Sequence, residues 1–163
     1  MDQTHIHLLI THLPIFGSLL GTLVLGFGIW KKSSTTKIAA HYLLIISAIG
    51  ACIAYITGEA AEETVENIQG VSENVIEQHA DFAIYALIAL IAVGIFSLIN
   101  IYLEYKKNGF PKSATTITLV LAMISFVLVA RTGYLGGQIR HAEITSNTTQ
   151  NAIDQGGEQD DDD

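Results

Sequence analysis

The residues of this chain best suited to chemistry are its six histidines. Imidazole suits haem iron, copper and zinc, and helix bundles commonly hold such centres. His5, His7 and His12 stand at the head of the first apolar run, His79 at the head of the third, and His141 just after the fourth. Beside His141, the stretch RTGYLGGQIRHAEI from Arg131 to Ile144 holds both arginines, Arg131 and Arg140, and the glycines Gly133, Gly136 and Gly137. A guanidinium at the mouth of a membrane span is costly without a partner, and its planar fork matches carboxylates. Glycine lets backbone or a flat ligand come close. These residues predict a b-type haem site. His12 and His79 form the favoured axial pair, with His7 and His141 as a second pair or substitutes. Arg131 and Arg140 would meet the propionates, and the three glycines would make room. The same four histidines would instead hold a copper, zinc or iron ion if they converged on one point. No catalytic residue is expected, because no serine or cysteine stands in a nucleophile motif. Cys52, the single cysteine, lies mid-span. The chemistry expected is electron transfer in a respiratory or redox complex; a cofactor-free structural subunit is the remaining alternative.

Such a site needs helices to position it. Of 163 residues, 50% are hydrophobic, and the mean hydropathy is +0.42. Four apolar runs, roughly Leu8–Trp30, Ile38–Thr57, Ala80–Leu103 and Ala114–Leu135, reach the ~20 residues that cross a bilayer. The expected fold is an all-α membrane protein, a bundle of four transmembrane helices. Residues 1–144 form the transmembrane domain, and 145–163 form a polar acidic tail expected to be disordered. The N-terminus lacks a positive n-region, so the first run reads as a retained span. A formal net charge of −8 argues against nucleic acid as a partner.

Lysine sets the orientation. Lys31, Lys32 and Lys37 follow span 1, and Lys106, Lys107 and Lys112 follow span 3, so these loops are expected in the cytoplasm. Both termini are then outside, in the periplasm of a bacterial inner membrane. The glutamate-rich stretch after span 2 has no breaker before Gly70, so helices 2 and 3 are expected to protrude as an outer hairpin turning at Gly70–Ser72. In span 1, Gly17 and Gly21 form a small-xxx-small pair for close helix packing, with Gly28 on roughly the same side. Pro14 falls one turn in, where a kink or helix start is tolerated. Counting rise at ~1.5 Å per residue, His12 sits at the outer boundary, His7, His79 and His141 lie about 6–11 Å above it, and Arg131 lies a turn below. His41, at the cytoplasmic end, reads as a hydrated interfacial residue.

The segments HIHLLITHLPIFG, TGEAAEETVENIQGVSE followed by His79, and LGGQIRHAEI resemble an uncharacterised bacterial family of short four-span predicted membrane proteins, marked by HLP in span 1 and GGQIRH after span 4. The resemblance covers nearly all of residues 5–144. It implies relatives among b-type cytochromes or respiratory subunits, and it points to His7, His12, His79 and the Gly136–Gly137 to His141 stretch. The partners expected of an electron-transfer subunit in such a bundle are the lipid bilayer, other membrane redox subunits or a periplasmic cytochrome, and quinone.

Overall fold

A computed structural model describes residues 3–65, 71–106 and 112–157. Short turns join the described residues into five helices, in the order α1 (Gln3–Ile10), α2 (His12–Trp30), α3 (Ser34–Val65), α4 (Glu73–Tyr105) and α5 (Lys112–Gly157). Four helical stretches are long and apolar enough to cross a membrane: Thr4–Trp30, Ser34–Thr64, Glu73–Tyr105 and Lys112–Ser146. The first joins α1 and α2 across Thr11. Pro14, in the first turn of α2, has no N–H to offer the Ile10 carbonyl, which is where the ladder loosens. Large apolar side chains such as Phe16, Ile56, Ile88 and Val127 face outward. That distribution fits lipid as the solvent.

The helices pack through small residues, as the span 1 glycines lead one to expect. A Cβ at Gly17 would lie 2.9 Å from Ser47 Cβ, and one at Gly28 would lie 3.0 Å from the backbone nitrogen of Lys37. From α3, Gly50 answers with Leu13 at 2.9 Å. Ser47 Oγ donates across the interface to the Pro14 carbonyl at 3.1 Å, which Ser18 Oγ also reaches at 2.6 Å. Two apolar clusters fill the centre. Leu25, Ala40, Leu44, Val93 and Ala122 make one, and Ala48, Ala51, Ala86, Leu90 and Val129 the other.

Contacts define the two ends of the bundle. At one, α1 lies on the last turns of α3, and the start of α4 lies beside the later part of α5. At the other lie the lysines, with Lys31 Nζ 4.3 Å from the Trp30 ring centroid and Lys106 Nζ 5.6 Å from that of Tyr102. The α2–α3 turn closes with Ser33 N–H donating to the Gly28 carbonyl at 3.0 Å, which places Lys32 at a positive φ of 53°.

Three features differ from the sequence reading or fall beyond it. The segment after residue 144, expected to be disordered, continues the helix of α5 to Gly157. It has no proline to stop it, and its glycines come only at the end; residues 158–163 lie outside the described residues. Of the expected turn, Ser72 is extended and immediately precedes α4, but its side chain makes no capping bond, and Gly70 lies outside the described residues. His41 is not hydrated. It is fully buried two turns into α3, with Nδ1 3.1 Å from Ser97 Oγ on α4. Near it, Asn100 donates to Thr118 Oγ1 at 3.0 Å and accepts from Thr115 at 3.3 Å. Small neighbours such as Ala40 let these polar side chains turn inward.

Candidate cofactor site at the terminal end

Two of the four expected histidine ligands are held in the same way, each by a carbonyl of a neighbouring helix. His7, on α1, places Nδ1 2.9 Å from the Ala54 carbonyl and 3.3 Å from Thr57 Oγ1, both on α3. His79, on α4, places Nδ1 3.0 Å from the Thr132 carbonyl on α5. A carbonyl can only accept, so each Nδ1 carries the proton and each Nε2 keeps its lone pair. An imidazole that binds a metal through Nε2 needs this tautomer, and a backbone carbonyl is a usual way to fix it. Both rings are half-buried.

Glycines seat both rings. A Cβ at Gly58 would lie 3.3 Å from His7 Cε1, and one at Gly136 would lie 3.1 Å from His79 Cε1. A larger residue at either position would press on the imidazole edge. The other two glycines behave differently. A Cβ at Gly133 would lie 3.2 Å from Ile15 Cδ1, so this glycine serves packing of α2 on α5, and Gly137 has open space beside it.

His12 is exposed. Its Nδ1 turns back to the Leu8 carbonyl of its own chain segment at 2.9 Å, and its ring stacks on Phe16. It therefore does not join His79; one helical face separates it from the α2 glycines that meet α3. His141 and Arg140 are also exposed, further along α5. Arg131 is exposed, with its guanidinium 5.6 Å from the Phe82 ring and 5.5 Å from that of Tyr134. Cation–π contact of this kind holds an arginine at a membrane boundary. Among the described residues, no group of three or more His, Cys, Asp or Glu side chains is arranged to hold a metal ion. The donor set at this end is thus two imidazoles, a number that suits the two axial positions of a haem and falls short of a closed tetrahedral zinc site.

The sequence reading missed Gly58 and the Ala54 and Thr132 carbonyls. The glycine had a signal: Gly58 follows Ala54 by the same four residues that separate Gly136 from Thr132. The carbonyls had none, since any residue supplies one.

Residues 3–147 match the family described as Predicted membrane protein (DUF2231). The chain belongs to that family. The match agrees with the expected group of short predicted membrane proteins, and it spans every histidine of this DUF2231 chain. No curated protein and no solved structure matches it. Membership of DUF2231 brings a membrane setting and no reaction, so the chemistry must be argued from the residues.

Proposed function

We propose that this protein is a membrane b-type cytochrome, an electron-transfer subunit of a redox complex, with its haem held near the periplasmic face by His7 and His79. One observation carries the reading. On two different helices, two half-buried imidazoles each donate Nδ1–H to a backbone carbonyl and keep Nε2 for a metal. Haem would supply a reversible one-electron couple there. The chain's own part is to hold two neutral imidazoles in a fixed tautomer and to keep water from one side of each ring. Arg131 and Arg140 stand on α5 as cations for the propionates, with His12 and His141 outside the ligand pair. A copper, zinc or iron ion in place of haem would need donors beyond these two.

The lysine loops support an orientation with both termini periplasmic. At ~1.5 Å per residue, α3 and α4 are each about 50 Å long, against about 30 Å for the hydrocarbon core. With the lysines at the cytoplasmic boundary, the glutamate-bearing ends of these two helices protrude outward. That geometry keeps the site within reach of a periplasmic cytochrome, with quinone in the bilayer as the other redox partner.

The test is the absorption spectrum of the purified protein, oxidised and dithionite-reduced, with haem quantified by pyridine hemochrome. A Soret band that His7→Ala and His79→Ala each abolish, and that His12→Ala leaves in place, is expected. Protein without haem, as isolated and after incubation with haemin, would end this reading.

A further inference from the structure

The two histidines are held by the same device, and the resemblance extends beyond them. His7 and His79 are 72 residues apart. The same offset carries the five buried positions of α2, namely Pro14, Ser18, Gly21, Leu25 and Gly28, onto Ala86, Leu90, Val93, Ser97 and Asn100 of α4, all of them buried. The carbonyl acceptors Ala54 and Thr132 are 78 residues apart, as are Gly58 and Gly136. That offset carries four of the eight buried residues of α3, Ala40, Leu44, Ser47 and Ala51, onto the buried Thr118, Ala122, Ser125 and Val129 of α5, and the other four onto half-buried positions. The helix contacts repeat in the same way. α2 packs on α3 as α4 packs on α5, and the ring closes through α3–α4 and α2–α5. Both odd-numbered spans run from the terminal end to the lysine end, so an axis relating the halves runs along the bundle.

Chance does not readily give this agreement. A helix face repeats every 3.6 residues, so an arbitrary offset superposes two buried stripes only about one time in four. Here the offsets are fixed independently, by the histidines and by their carbonyl partners; the first superposes all five buried positions of α2 and the second the Ala40–Leu44–Ser47–Ala51 stripe of α3.

We propose that the chain consists of two equivalent two-span halves, each supplying one cradle of the same construction: an imidazole whose Nδ1–H is held by a carbonyl of the following span and whose Cε1 edge rests on the glycine one turn further on. His7 and His79 are then equivalent ligands, and Gly58 and Gly136 are the positioning residues that set them. The ligand class that fits is a metal macrocycle taking one imidazole nitrogen from each half. The identity of that ligand rests on the haem reading above; the cradles do not.

Two measurements keep the ideas apart. The first is long-range ¹⁵N–¹H correlation of the histidine rings in cofactor-free protein in detergent, at a pH where imidazole is neutral. His7 and His79 should both show the Nδ1–H tautomer. Gly58→Ala should shift the ring signals of His7 and leave those of His79, and Gly136→Ala should do the reverse. Gly137→Ala, where the added methyl has open space, should leave both unchanged and serves as the control for folding. An Nε2–H tautomer at either ring, or ring signals indifferent to the glycine beneath them, overturns the proposal. The second is titration with haemin. One equivalent per chain should give a six-coordinate low-spin spectrum, and His7→Ala and His79→Ala should give matching five-coordinate spectra with affinities lowered at least tenfold. Unequal effects of the two substitutions overturn the equivalence. No binding of haemin, with the tautomers as stated, overturns the haem reading and leaves the cradles standing.

Discussion

A methyl group at Gly21 would stand 2.7 Å from Leu44 Cδ2, so α2 and α3 meet there with no spare volume. Gly21→Ala is expected to destabilise the bundle by about 1–3 kcal/mol, the usual cost of overpacking. Leu44→Ala should also destabilise alone, by about 2–5 kcal/mol. Together they should cost less than the sum, because the cavity receives the methyl. Thermal unfolding in detergent reads all three, and simple additivity would show that the two residues do not share this space.

The buried pair His41–Ser97 is a packing element of the bundle and separate from the cofactor site. His41 precedes Ala54 by 13 residues on α3, about 20 Å of helix. His41→Ala should cost about 1–3 kcal/mol through a cavity and a lost partner for Ser97. It should leave any haem spectrum unchanged, whereas His79→Ala removes it. A spectrum altered by His41→Ala would make His41 a ligand.

Asn100 joins Phe96, Thr115 and Thr118 in the interior. Hydrogen bonds between transmembrane helices are worth about 0.6–2 kcal/mol. Asn100→Ala should destabilise by about that amount, and Asn100→Leu by more, since the larger apolar side chain meets two hydroxyls. Unfolding midpoints at matched detergent concentration give the comparison.

Lys32 occupies a left-handed backbone position at φ 53°. Lys32→Gly should raise stability by up to about 1 kcal/mol by removing that strain. Lys31 and Lys37 still flank the turn, so the orientation should persist. With Cys52 replaced by alanine, a cysteine at Ser33 should resist an impermeant thiol reagent in intact cells, and one at Glu63 should react. The reverse pattern would invert the topology.

Much of this fold is written in hydropathy, because lipid demands uninterrupted apolar helices and the lysines that end them are conspicuous. The α2 glycines were legible for the same reason: close approach needs them, and their spacing keeps them on one side. The site was legible only in part. The rise along each helix put His7, His12 and His79 at similar heights, but height does not say which way a ring points. His12 and His7 differ by five residues, about 140° of rotation, and only one of the two faces the neighbouring helix. The internal repeat was hidden because few residue types recur within it. Ser47 and Ser125 coincide, but Gly21 pairs with Val93 and Gly28 with Asn100. Burial repeats where identity does not, and the register changes by six residues between the first and second spans of each half.

The matched burial stripes bear on how such a protein is made. Four helices bring two kinds of seam, one within each hairpin and one between hairpins, each used twice. A ribosome delivering α2 and α3 to the bilayer has already delivered half of the finished assembly, able to hold its own hairpin seam before the rest of the chain emerges. The later hairpin then meets a partner shaped like itself, and the last stage of folding resembles the dimerisation of two small proteins that happen to share one chain.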